Sequence, residues 1–272
     1  MKTIGMIIPT ADNSFFSNLT HSVVQHMAEH GYQVLVCDSS NSPDLEKEEI
    51  CTLIRLGAEG IIDVSGLKEV PSEIPENYPF VFVDRLPAGA DAMTWVANDD
   101  AEAMKEAACY LIEKGCQNIV LMPGYIAEHQ ENPRVSGYQA ALTAAGIAFD
   151  PAYVVNRKGT GSSEAETEEL VMNLLREGKK IDGIITSSDR AAFGAIRALG
   201  RGGYYVPEDV KLISFDNSPY STMASPSITS IDRNPAELAR CACEQLLKKI
   251  NQENAETRVI VPVTLIKRDS TR

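Results

Sequence analysis

The side chains best suited to chemistry stand in short polar clusters. These are Asn13-Ser14-Phe15-Phe16, Asp84-Arg85, Asn98-Asp99-Asp100, Ser187-Ser188-Asp189 and Asp216-Asn217-Ser218, together with Arg134. Carboxylates and a guanidinium make the charge-assisted, directional hydrogen bonds that a hydroxyl-rich molecule needs. A phenylalanine ring can stack on the apolar face of a sugar or on a planar base. Each cluster also has a plainer reading. Asn13 or Ser14 could cap a helix while both Phe rings enter the core, Asp100 could be a cap, and Asp84-Arg85 could be a structural pair.

Nucleotide-dependent and hydrolytic chemistry finds no support. No Gly-x-Gly-x-x-Gly follows the first apolar run, no Gly-x-x-x-x-Gly-Lys-Ser/Thr occurs, and Gly-x-Ser-x-Gly is absent. Gly159-Thr160-Gly161 lacks a third glycine. Cys241-Ala242-Cys243 places two thiols two apart on a helix, where they face different ways, and no second pair lies near to complete a metal site. His21 and His26 also diverge on a helix, and His129 reads as a loop histidine near Arg134. The sequence is read as a binding protein, not an enzyme, with no cofactor and no metal.

The clusters recur at the ends of apolar runs, so the elements must explain them. Runs at Thr3–Pro9, Gln33–Cys37, Gly60–Val64, Phe80–Val83, Asn118–Met122, Gly183–Thr186 and Val210–Phe215 are nearly continuous in Ile, Val and Leu. Parallel strands covered on both faces read this way. Between them lie helical stretches at 15–30, 43–56, 100–114, 134–145, 163–177, 189–199 and 235–250, most ending at a glycine. Repeated strand–helix–strand units predict a doubly wound α/β fold in two sets. Such sheets bind ligands beyond the carboxyl ends of their strands, where the polar clusters stand.

Composition limits the partners. The 272 residues include 44% hydrophobic and 23% charged residues, as in a globular protein, and no run of about 18 apolar residues indicates a membrane span. A formal net charge of −13 opposes binding to a phosphate backbone. Six cysteines in a chain with ample apolar residues for a core are read as reduced thiols of a cytoplasmic protein.

The order of motifs resembles the lactose-repressor/galactose-repressor family of transcription regulators along the whole chain. The residues that carry it are Ile4-Gly-Met-Ile-Ile-Pro9 through Phe16, His30-Gly-Tyr-Gln-Val-Leu-Val36, Gly60-Ile-Ile-Asp63, Val83-Asp-Arg85, Asn98-Asp-Asp100, Arg134-Val-Ser-Gly-Tyr138, Ser188-Asp189, Val206-Pro-Glu-Asp-Val210, Ile213-Ser-Phe-Asp-Asn217, Ser225-Pro-Ser-Ile-Thr-Ser-Ile231 and Pro262 to Thr271. The resemblance implies two similar doubly wound parallel-sheet subdomains of the type I periplasmic-binding-protein kind, joined by three crossovers near Gly115, Arg233 and Arg258. One subdomain would hold 1–115 and 234–257, the other 116–233 and 258–272. A small-molecule effector (a sugar, sugar phosphate or purine) would bind between them and control DNA binding allosterically.

Matching motif positions imply ligand contacts at Asn13, Phe15, Phe16, Glu102, Arg134, Ser188, Asp189, Asp216 and Arg233. Ser188 falls where members often have Asn, and Arg233 where many have Gln, a change that bears on ligand charge. Family members carry a helix-turn-helix headpiece ahead of this core. Operator DNA would be read only through that headpiece, outside this chain, by a homodimer. The same fold also serves periplasmic sugar-binding proteins of transporters, which is the alternative reading.

Overall fold

The computed structural model describes residues 2–124, 132–158 and 163–272. In chain order the elements are β1 (Lys2–Ile8), α1 (Ser14–Glu29), β2 (Tyr32–Asp38), α2 (Pro43–Arg55), β3 (Ile61–Asp63), β4 (Phe80–Val83), β5 (Thr94–Ala97), α3 (Asp100–Glu113), β6 (Ile119–Met122), α4 (Pro133–Ala144), α5 (Ser163–Arg176), β7 (Gly183–Thr186), α6 (Asp189–Arg201), β8 (Lys211–Phe215), α7 (Pro219–Met223), β9 (Thr229–Asp232), α8 (Pro235–Ile250), β10 (Arg258–Ile260) and β11 (Thr264–Ile266).

They form two compact units, Met1–Asn98 with Asn234–Pro262 and Asp99–Arg233 with Val263–Arg272. The first holds a sheet of order β10-β5-β4-β3-β1-β2, parallel throughout. The second holds the order β11-β9-β8-β7-β6, parallel except for β11, which runs against β9. Each sheet is covered on both faces, which is why its central strands are mostly apolar, with Asp63, Thr186 and Ser214 as buried polar exceptions. In the first unit α1 and α8 fill one face around Leu19, Val23, Met27 and Leu246, and α2 fills the other around Ile50 and Leu53. In the second, α3 and α4 pack Leu111 and Tyr138 against one face, and α5 and α6 pack Val171 and Leu199 against the other.

Two expected boundaries are corrected. The first crossing falls at Asn98/Asp99, not near Gly115, because α3 lies along α4 and sends Ala103, Met104, Ala107 and Leu111 into the second core. The last falls at Pro262/Val263, not near Arg258, because β10 pairs with β5 of the first sheet. The middle crossing is Arg233/Asn234. Helix α6 also runs past the expected end at 199 to Arg201, and the glycine at positive φ that follows it is Gly203. The tail is stitched into the second sheet. The Ser270 hydroxyl donates to the Leu212 carbonyl at 2.5 Å and accepts from the Thr229 amide at 2.9 Å.

Two helix pairs meet at glycine. A Cβ built at Gly137 of α4 would fall onto the Ala101 carbonyl of α3, and one at Gly194 of α6 onto the Glu164 carbonyl of α5. The obstacle is backbone, so it cannot rotate away. Gly137→Ala and Gly194→Ala should each cost about 1–3 kcal/mol net, since overpacking outweighs the gain in helix propensity. Urea unfolding that shows either variant as stable as the parent would contradict this.

The first unit buries two carboxyls side by side. Glu46, in the first turn of α2, accepts the Ser65 hydroxyl at 2.7 Å and the Gly66 amide at 2.9 Å. Asp63 ends β3 at 0% exposure. Burial, then the charge of Glu46, hold the Asp63 carboxyl well above its ordinary range; Glu46 is itself raised by burial against its donors and the charge of Arg85. The native pair therefore keeps a proton that the unfolded chain releases above about pH 4. Stability must fall as pH rises from there toward the raised native value. Asp63→Asn, neutral at every pH, should flatten the decline in melting temperature between about pH 5 and pH 8. A variant whose melting temperature falls as steeply as the parent's would refute the shared proton.

Candidate functional site

The second unit gathers four charged residues, Asp100, Arg134, Asp216 and Arg233, in one cluster. Asn132 caps α4 by accepting the Arg134 amide at 3.0 Å, with Pro133 in the first helical position. Asp99 caps α3 by accepting the Glu102 amide at 3.0 Å, so the neighbouring Asp100 is not needed as a cap. The close approach of α4 to α3 at Gly137 and Ala101 brings Arg134, three residues earlier on α4, beside Asp100, one residue earlier on α3. The Arg134 Nε donates to Asp100 Oδ2 at 2.9 Å, and its Nη1 donates to the Ser187 carbonyl at 3.3 Å. The guanidinium lies 4.2 Å from the centre of the Phe215 ring, a cation–π contact.

A second guanidinium closes the cluster. Arg233 follows β9, with Nη2 4.0 Å from Asp100 Oδ1 and Nη1 3.9 Å from Asp216 Oδ1. Arg134, Arg233 and Asp216 retain 8%, 4% and 9% exposure. Ions this buried are tolerated only when paired. Here they alternate in sign along Arg134, Asp100, Arg233 and Asp216, two cations against two anions.

Asp216 reaches its place through strained backbone, with φ of +98° there and +48° at Asn217. Such conformations persist where the surroundings over-determine them. The Asp216 amide donates to the Ile231 carbonyl at 2.8 Å and the Asn217 amide to the Ser230 hydroxyl at 3.0 Å. Asp189 supplies the third anchor. Its Oδ2 accepts the Ser218 amide at 2.5 Å, and its Oδ1 accepts the hydroxyls of Ser214 and, at 2.7 Å, Ser230. Burial raises the Asp189 carboxyl against these three donors. Its oxygens are occupied by internal partners, so this residue positions the turn that carries Asp216.

The other expected residues have contacts of their own within their units. Ser188 caps α6, accepting the Ala191 amide at 3.2 Å. Glu102 points to solvent, 67% exposed, and pairs with Lys105 at 3.1 Å. Asn13 caps α1, accepting the Phe15 amide at 2.8 Å. Phe15 and Phe16 pack edge to face with centroids 5.4 Å apart inside the core of the first unit, 2% and 5% exposed. The Asp84–Arg85 contact is 3.8 Å long. His129 and Gly159-Thr160-Gly161 lie outside the described residues.

All six cysteines are free thiols, and burial pushes Cys243 up to about 12 and Cys116 up to about 11. Among the described residues no group of three or more His, Cys, Asp or Glu could hold a metal ion, and no helix is long and apolar enough to cross a membrane.

Sequence reasoning placed Asp100 in a polar cluster but not among the ligand contacts, and it gave no role to the Phe215 ring or the Ser187 carbonyl beside Arg134. The Asp99-Asp100 doublet carried a signal for the first, because one helix end needs only one capping carboxylate.

Two doubly wound parallel sheets, the second with a buried polar cluster at its strand ends, are the architecture met in the comparisons with known proteins. Residues 108–271 match the family described as periplasmic binding protein-like domain, and the chain belongs to that family. Its relatives are regulators of the lactose-repressor type. It is 28% identical to catabolite control protein A of Priestia megaterium over 99% of this chain and 82% of that protein. It is also 28% identical to the HTH-type transcriptional repressor PurR of Pasteurella multocida, over 95% of this chain and 78% of that one.

Two solved structures align over almost their whole length. A periplasmic binding protein/LacI transcriptional regulator from Alkaliphilus metalliredigens, complexed with D-xylulofuranose, has a TM-score of 0.87 at 26% identity and covers 100% of both chains. A LacI family transcriptional regulator from Enterococcus faecium with bound ribose has a TM-score of 0.83 at 26% identity, covering 99% of this chain and 98% of that one.

Replacing Asp189 by Ala strands three buried donors at once. Each orphaned donor costs about 1–3 kcal/mol, so the loss should exceed about 3 kcal/mol in denaturant unfolding. A loss below about 1 kcal/mol would show that the Asp216 turn holds itself.

Proposed function

We propose that this domain is the effector sensor of a cytoplasmic transcription repressor, and that it binds a small neutral sugar at the Arg134–Asp100–Arg233–Asp216 cluster. The observation that carries this reading is the charge balance of that cluster. Two guanidiniums already face two carboxylates, all largely withdrawn from water. A phosphorylated or carboxylated ligand would add an anion that no remaining cation of the cluster compensates, at high cost in a buried site.

A hydroxyl suits the geometry. The 3.9 Å gap between Arg233 Nη1 and Asp216 Oδ1 is too long for a direct hydrogen bond. One oxygen about 2.8 Å from each atom would accept from the guanidinium and donate to the carboxylate, with an angle of about 90° at that oxygen. The sugars present in two structural relatives agree with this chemistry.

The sensor acts as part of a homodimer that reads operator DNA through a helix-turn-helix outside these residues; the acidic surface of the chain itself is unsuited to DNA. The effector must favour one of two states of that dimer by roughly 1–3 kcal/mol to control it.

A thermal-shift screen with D-ribose, D-xylulose, other monosaccharides, ribose 5-phosphate and hypoxanthine tests the ligand class. A neutral monosaccharide should raise the melting temperature with increasing concentration, by mass action on the folded state. Asp216→Ala should weaken that sugar by roughly tenfold to a hundredfold, the worth of a charge-assisted hydrogen bond. A shift with the phosphate or the purine alone, or an Asp216→Ala affinity within about twofold of the parent, would refute the reading.

A further inference from the structure

We infer that Asp100 is a positioning residue of the effector site, setting the direction of both guanidiniums. The inference rests on the sugar-binding reading above only for its affinity arm. Asp99 already satisfies the first turn of α3, so the fold does not require Asp100 as a cap. Its carboxylate instead lies between the two arginines, taking the Nε edge of Arg134 at 2.9 Å and standing 4.0 Å from Arg233 Nη2.

Three contacts on different sides fix Arg134. Asp100 takes Nε, the Ser187 carbonyl takes Nη1, and the Phe215 ring covers one face of the plane. Among the described residues Nη2 meets no acceptor, so this corner of the fork is the one presented to a ligand. A guanidinium is a rigid plane, so holding Nε determines where Nη2 points. Without Asp100 the side chain keeps its charge and loses its aim.

The placement of Asp100 follows from backbone packing. Ala101, the next residue, carries the carbonyl against which Gly137 is packed, and Arg134 lies three residues before Gly137. The helix contact and the ion pair are thus separated by one residue on α3 and by three on α4. The geometry of the pair is set before any ligand arrives, which is what preorganisation requires.

Asp100 also sits beside a chain crossing. It is the second residue after the divide at Asn98/Asp99, and Arg233 is the last before the divide at Arg233/Asn234. One carboxylate therefore ties together, within the second unit, two of the points at which the chain enters and leaves it.

The first test needs no ligand. The Arg134 Nε–H resonance, assigned by its loss in Arg134→Lys, should exchange slowly with solvent in the parent. It should exchange far faster in Asp100→Ala, and at an intermediate rate in Asp100→Asn, which keeps an acceptor oxygen but no charge. Equal protection in parent and Asp100→Ala would overturn the inference. Should Asp100→Ala fail to fold, the sterically matched Asp100→Asn still decides, because loss of charge assistance alone must speed exchange.

The second test is a double-mutant cycle on D-ribose and D-xylulose affinity by calorimetry. Asp100→Asn should weaken binding about tenfold in the parent and by less than about twofold in an Arg134→Ala background, since its action passes through that arginine. An equal loss in both backgrounds would make Asp100 a direct contact and overturn the positioning role. If Arg134→Ala weakens the sugar and Asp100→Asn does not, only this inference fails. If Arg134→Ala binds as the parent does, the site itself is wrong, and the exchange measurement still judges Asp100.

Discussion

A guanidinium withdrawn from water has to be answered by the fold, and Arg134 is where the second unit answers it. Its charge is held at 8% exposure by a carboxylate from α3, a carbonyl from the end of β7 and a ring from the end of β8. Each of these sits where it does for a reason of backbone geometry. The carboxylate depends on glycine at the α3–α4 contact. The ring is the last residue of a strand whose inward neighbour, Ser214, is tied to Asp189. Asp189 in turn fixes the turn carrying Asp216. A single buried cation thus makes demands on four elements, and the core, the strained turn and the ion pairs are the ways in which they are met.

The same plan is visible in the first unit with different side chains. Both sheets are wound alike, with α1 and α8 or α3 and α4 on one face and α2 or α5 and α6 on the other. Both place an aspartate at positive φ directly after a central strand, Asp84 at +67° after β4 and Asp216 at +98° after β8. The chemistry has diverged. The second unit balances cations against anions, whereas the first buries Asp63 beside Glu46, with the charge of Arg85 acting on Glu46.

Most central strands were legible because full burial on both faces leaves a continuous run of Ile, Val and Leu. The short elements were not. β10 and β11 hold three residues each, and α7 five, and their existence depends on a neighbour to pair with or pack against. The boundary near Gly115 misled for a related reason. Periodicity shows that 100–113 is a helix, but only the α3–α4 packing shows which sheet it serves.

In the proposed site, residue type pointed to Arg134 and Asp216, yet type alone does not separate a carboxylate open to a ligand from one whose oxygens are taken up by the fold. The Asp189 oxygens meet Ser214, Ser218 and Ser230, and the Asn13 side chain caps α1. Arg233 stood out in the sequence as an arginine where Gln is usual, and the structure gives that arginine two carboxylate neighbours.

The order of segments along the chain has a consequence for synthesis. The first sheet is bordered by β10, and one of its faces is covered by α8; both segments are encoded after nearly all of the second unit. The second sheet in turn waits for β11 and the Ser270 stitch to Leu212. Domains usually fold as units, amino-terminal first, as the chain emerges. Here neither unit can finish that way. An emerging chain holds one face of the first sheet covered by α1 alone until residues 235–250 appear, so apolar surface that α8 will cover stays open until late in synthesis. Loss of only the final segments would leave both units incomplete, not one.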